Sequence, residues 1–230
     1  MRNFTAYKKI IFLRYFIELS YNGKKYHGWQ IQPDAVSVQE KLNAAISTIL
    51  QDKIEVVGAG RTDTGVHAAQ MFAHFNTQKE IEPTVVHKLN SILPNDITVS
   101  RVFLVEEEKH ARFHAESRSY EYRIWLGRNP FLLDFSWQIH SQKLDIAKMN
   151  EAASMLLGYE DFQTFSKVKT AVYTFNCDVT EAFWKQEGSL LTFHISANRF
   201  LRNMVRAIVG TLVDVGLDKI SINEFRDIIE

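Results

Sequence analysis

The sequence predicts an α+β chain built from two halves, each an antiparallel sheet faced by helices, and three observations carry that expectation. Apolar runs of period two, such as Arg14 to Tyr21 (RYFIELSY), alternate with amphipathic helical stretches such as residues 38–50. Several strand runs lie outside any helical crossover, which argues against a doubly wound parallel sheet. The chain's 230 residues exceed the usual domain size of about 100–150, which favours two fused halves.

Taken in order, Tyr15, Ile17, Leu19 and Tyr21 share one side of a half-buried strand that ends in the turn Asn22-Gly23. Ser37-Val38-Gln39-Glu40 is a capping box, and Val38, Leu42, Ala45, Ile46 and Ile49 recur at helical spacing, so residues 38–50 form a helix. Ile54 to Val57 is a short strand and residues 58–68, GAGRTDTGVHA, are a loop. Ala69 to Thr77 resumes as a strand with Phe72 and His74 on one face. Pro83 opens a short helix to about Leu93, Pro94-Asn95-Asp96 breaks it, and Ile97 to Val105 is a strand followed by the solvated charges Glu106 to Lys109. A boundary near residue 110 then separates an N-terminal half, 14–110, from a C-terminal half, 111–230, with residues 1–13 as an N-terminal extension.

The second half mixes elements in the same way. A strand runs from Ser119 to Leu126, a helix from Asp145 to Leu157 ending on Gly158, and a hairpin joins Val172–Lys185 to Leu190–Ala197 with Glu187-Gly188 at its tip. A long helix from Arg199 to Val215 is stopped by Gly216. Ser221 to Glu224 is a second capping box, followed by Phe225, Ile228 and Ile229. No internal repeat is visible at the level of residues.

Composition excludes several classes. With 46% hydrophobic and 23% charged residues the chain is globular rather than disordered. The single cysteine, Cys177, cannot close an intrachain disulfide or build a multi-cysteine metal site, and points to the cytoplasm. The apolar run Ile10 to Leu13 is too short for a signal-peptide core or a membrane span. Net charge is zero and the isoelectric point about 7.1, so any nucleic-acid site must be local.

The loop at 58–68 is too polar for core and too ordered for a linker. Asp63-Thr64-Gly65 matches the triplet of aspartic proteases, but no second copy exists to share a proton, and Arg61 would favour the ionised carboxylate. A metal site would recruit Asp63, His67 and His74, whose helical spacing Gly65 and the following strand disrupt; His74, among apolar neighbours, reads as a hydrogen-bonded structural residue. A third option, beside a protease acting as a symmetric dimer with one copy per chain and a metal site, is one carboxylate working beside fixed positive charge. On a helix over 199–215, Arg199, Arg202 and Arg206 fall within about 60° of each other, and no acidic residue lies between Gly188 and Asp214. Such a stripe expects phosphate or carboxylate. Tyr120 and Tyr122 share a strand face with Ile124 and Leu126, which suits either core packing or stacking on a nucleobase.

YFIELSYNGKKYHGWQ, GAGRTDTGVHA, LNSILPNDI, FHAESRSYEYRI and ANRFLRNMVRAIVGTLVDVG, in that order from about Arg14 to Gly216, resemble the TruA family of tRNA pseudouridine synthases. The resemblance implies isomerisation of uridine to pseudouridine in the anticodon stem-loop of tRNA, at positions 38 to 40, by a homodimer that uses neither cofactor nor metal. It implies two α/β halves related by a pseudo-twofold, with antiparallel sheets, helices on one face and a central basic cleft. It makes Asp63 catalytic, Arg206 its ion-pair partner, Tyr120 the residue against the target base and Arg61 an aid to base flipping. Arg199 and Arg202 then suit RNA-backbone contacts. Family members usually continue past the long helix into a final Gly-Leu-containing strand, whereas this sequence stops at Glu230 within an expected helix, which admits a tRNA-binding module with little or no turnover as an alternative.

Overall fold

Alternation of side chains builds the first strand. In β1, Leu13–Tyr21, the residues Tyr15, Ile17, Leu19 and Tyr21 are buried, while Arg14, Phe16, Glu18 and Ser20 face the other way. The computed structural model describes residues 12–140, 143–167 and 173–230, so most of the expected N-terminal extension and the expected strand start at Val172 lie outside the described residues. By its contacts the chain divides into two compact units, Met1–Ala115 and Glu116–Glu230.

In the first unit β1 pairs antiparallel with β3, Ala68–Thr77, and with β4, Ile97–Val105. The short β2, Val57–Gly58, pairs with β3, giving the order β2-β3-β1-β4. Helix α1, Val38–Leu50, opens on the expected capping box: the Ser37 hydroxyl accepts from Glu40 N at 3.2 Å, and the Glu40 carboxylate accepts from Ser37 N at 3.5 Å. Helix α2, Val85–Ile92, joins α1 on the buried face of the sheet, where Ile17, Leu19, Leu42, Ile46 and Leu89 close the core. The strand expected over Ile54 to Val57 shrinks to β2, because α1 takes the backbone groups a ladder would need. Ile54 N donates to Ser47 Oγ at 3.0 Å and Val56 N to Asn43 Oδ1 at 2.9 Å, while Gln39 donates to Val56 O at 2.7 Å.

The second unit contains β5, Arg118–Leu126, β6, Trp137–Ile139, β7, Val179–Glu187, and β8, Leu190–Ala197, ordered β6-β5-β8-β7. Helices α3, Ile146–Met155, α4, Met204–Gly216, and α5, Ile222–Ile229, bury Ile124, Met149, Phe193, Ile208 and Phe225 against one sheet face. Three expectations change here. The sheet is mixed rather than wholly antiparallel, since β6 runs parallel to β5. The first hairpin strand begins at Val179. The long helix begins at Met204 and not at Arg199, because Asn203 stands in the left-handed region at φ 65°, where a helical ladder cannot propagate. Gly216 is the last helical residue and packs on Met149.

Both units follow one plan. A central strand leads to a helix, then a hairpin, then a second helix: β1, α1, β2–β3, α2 in the first, and β5, α3, β7–β8, α4 in the second, with β6 added after β5. Among the described residues no helix is long and apolar enough to cross a membrane.

Candidate active site

Asp63 sits in the loop between β2 and β3, half-buried, with exposed Arg61 two residues before it. The loop does not hold its shape alone; it is moulded on residues 21–29. Trp29 N donates to Thr62 O at 3.4 Å, and the Tyr21 and Thr62 hydroxyls share a hydrogen bond at 3.0 Å. After Asp63, Gly65 N donates to Tyr26 O at 3.3 Å and Val66 N to Asp63 O at 3.2 Å. Gly23 N donates to His67 Nδ1 at 3.1 Å, so that ring nitrogen is an acceptor fastening the loop's far end. Among the described residues no three or more His, Cys, Asp or Glu side chains are grouped to hold a metal ion.

The mould is itself pinned. Tyr26 Oη donates to Asp96 Oδ1 at 2.5 Å, and Asn22 N donates to Asp96 O at 2.9 Å, tying residues 22–26 to the turn before β4. Burial, reinforced by the Asp96 carboxylate, pushes the Tyr26 phenol well above its ordinary pKa, so it stays a neutral donor. Two glycines permit the close fit. Gly28 has φ 89°, and a Cβ there would lie 2.1 Å from Thr62 O; a Cβ on Gly23 would lie 1.9 Å from Val66 O.

The other expected site residues belong to the second unit. Tyr120 is partly buried in β5, its ring edge-on to Phe200 at 5.1 Å, so it packs on the core while keeping some exposure. Arg206 lies exposed in the first turn of α4. Burial raises the pKa of Tyr122, and the charge of Arg206 opposes that rise. Arg199 and Arg202 are not helical as expected but lie in the irregular stretch before Asn203, where Arg202 O accepts from Lys167 N at 3.0 Å. Arg199, half-buried, and Arg202, exposed, precede α4 and Arg206 lies in its first turn, so the three arginines form no helical stripe. The structure thus places Arg61 and Asp63 on one loop of the first unit, and Tyr120 on β5 against Phe200, with Arg199, Arg202 and Arg206 close in sequence to Phe200, in the second.

Tyr21, Gly23, Tyr26, Gly28 and Trp29 carry roles that residue-by-residue reading of the sequence missed. The signal available was two glycines and three aromatics closely spaced after a strand, in the stretch YNGKKYHGWQ.

Comparison with known proteins agrees with this architecture. The sequence profile of the family described as tRNA pseudouridine synthase matches residues 19–114 and 152–230. A tRNA pseudouridine synthase A from Bacteroides fragilis is 51% identical over 220 residues, covering 94% of this chain and 87% of that protein. Its counterpart from Parabacteroides distasonis is 47% identical over 219 residues, covering 94% and 86%, and one from a Thermoanaerobacter species is 42% identical over 225 residues, covering 93% and 88%. Identity of this extent, running through the Asp63 loop and α4 alike, means that the chain belongs to the tRNA pseudouridine synthase family.

Proposed function

We propose that this protein isomerises uridine to pseudouridine in tRNA, acting as a cytoplasmic homodimer on positions 38 to 40 of the anticodon stem-loop. The observation that supports it most is the moulded loop that presents Asp63, half-buried and next to Arg61, in a chain of this family. The reaction breaks the bond from N1 of uracil to C1′ of the ribose and forms one from C5 to C1′. The C5 proton leaves and N1 gains one, so atoms and charge balance with no further reactant.

In this reading the Asp63 carboxylate works where positive charge develops at the sugar or where a nucleophile must add. It has to be ionised, and desolvation against RNA opposes that; Arg206 is the proposed guanidinium partner that favours the anion. Tyr120 covers the target base and helps exclude water, which would otherwise trap the sugar and release uracil. Arg61 occupies the space vacated by the extruded nucleotide, offsetting an unstacking cost of a few kcal/mol.

The test is tritium release from tRNA labelled at uridine C5, with modified positions mapped by carbodiimide-blocked primer extension. The wild-type protein is expected to turn over many times, and Asp63→Ala to lose at least about a hundredfold, the low end for removing a fixed charge from a transition state. Retained release by Asp63→Ala ends the assignment of that residue. Stoichiometric binding without turnover by the wild type would make the chain a tRNA-binding module instead.

A further inference from the structure

We infer that the hydrogen bond between the Tyr21 and Thr62 hydroxyls sets the position of the Asp63 carboxylate, which makes Tyr21 a positioning residue for the isomerisation; the inference rests on the function proposed above. Tyr21 closes β1, is 4% exposed, and is paired with Ala68 on β3 and Ile97 on β4, so its backbone is fixed from both sides. Its hydroxyl lies 3.0 Å from that of Thr62, the residue directly before Asp63 and 41 positions along the chain. Its ring contacts that of Trp29 at 6.3 Å, and Trp29 N donates to Thr62 O at 3.4 Å.

Thr62 is therefore held by its main-chain oxygen and by its side-chain oxygen, on two aromatic residues that brace each other. Holding only the carbonyl would leave the peptide free to tilt about that contact. The second anchor removes the tilt and with it the main freedom of the Asp63 Cα. On the far side, Val66 N and the Gly65–Tyr26 bond limit the chain in turn. A carboxylate that must meet one sugar carbon gains from such a support, because small displacements of a reacting group are costly in rate.

Tyr21→Phe keeps the ring and its packing and deletes only the hydroxyl. Its kcat at saturating tRNA is expected to fall about tenfold, less than the hundredfold that a displacement of 1 Å can cost, with the tRNA dissociation constant and the melting temperature near wild type. Thr62→Val should behave the same way, Thr62→Ser should retain near-wild-type turnover, and the double variant Tyr21→Phe/Thr62→Val should be no slower than either single one. A purely structural role would lower melting temperature and leave kcat intact in the folded fraction. Wild-type kcat in Tyr21→Phe, a loss of tRNA affinity in place of kcat, or effects that multiply in the double variant would overturn the inference. Should Tyr21→Phe fold poorly, Thr62→Val against Thr62→Ser decides the same question. A wild-type protein without turnover sinks the isomerase reading and this inference with it; an active wild type beside an unaffected Tyr21→Phe sinks this inference alone.

Discussion

At Gly28 the backbone passes so close to the Asp63 loop that a single methyl group would collide with Thr62 O, at 2.1 Å, in a conformation, φ 89°, that side chains rarely adopt. Gly28→Ala combines left-handed strain of about 1–3 kcal/mol with overpacking of about 1–3 kcal/mol, so a loss of about 2–6 kcal/mol in urea denaturation is expected. Loss of isomerisation should accompany it, because the obstructing atom belongs to the residue before Asp63. His74 makes the second prediction at this scale. Its Nδ1 accepts from Ala111 N at 3.2 Å, and burial first, then the neighbouring His110 and Arg14, lower its pKa to about 4. An unfolded histidine titrates near 6.5, so above that pH both states are neutral and nothing is lost. As pH falls from about 6.5 to about 4 the unfolded chain binds the proton first, and stability drops by on the order of 2–3 kcal/mol. His74→Asn keeps an acceptor for Ala111 N but does not titrate; its urea midpoint should depend less steeply on pH across that window than the wild type's.

Among elements, α1 is one whose start and buried face were written locally. The capping box at Ser37 and the apolar spacing from Val38 specify its start and its buried side, and the observed span equals the expected 38–50. Ser37 is fully buried, and its hydroxyl satisfies Glu40 N, so Ser37→Ala should cost about 1 kcal/mol and lower the melting temperature by about 2–4 °C, read by thermal circular dichroism. Two other elements show where local pattern stops. The apolar spacing of 199–215 continues through Leu201, which is buried, yet the helix waits for Met204 because Asn203 turns the chain left-handed and Arg202 O is committed to Lys167 N. Ile54 and Val56 carry strand-like residues and are buried as expected, yet Ser47 and Asn43 of α1 hold their amides before a strand can. In both, a partner distant in sequence or a single backbone dihedral outweighs a correct hydrophobic pattern.

For the whole molecule, net charge is zero, so attraction to tRNA has to come from local arginines. Arg202, exposed in the segment before α4, is proposed to meet the RNA backbone; Arg202→Ala should weaken tRNA binding evenly across tRNA sequences and reduce the slope of log affinity against log salt by about 1, measured by filter binding at several salt concentrations. An unchanged slope would remove Arg202 from the interface. The repeated plan of strand, helix, hairpin and helix also belongs to this scale, and it left no trace of repetition in the residues themselves. A core needs only apolar side chains at the right period, which many sequences satisfy, so two units can share a topology without sharing letters.

By itself the sequence determined the α+β class, the spans of β1, α1, β4 and β8, the buried faces of β1 and α1, both capping boxes, and through its combined motifs the family. These follow from periodicity and capping, which act over a few residues. Tertiary structure alone decided that β6 joins its sheet in parallel, that α4 begins after Asn203, and that Tyr21, Gly23, Gly28 and Trp29 form the mould for the Asp63 loop. Each of those depends on where a distant stretch of chain comes to rest, and a hydrogen bond across 41 residues leaves no periodic mark on either partner.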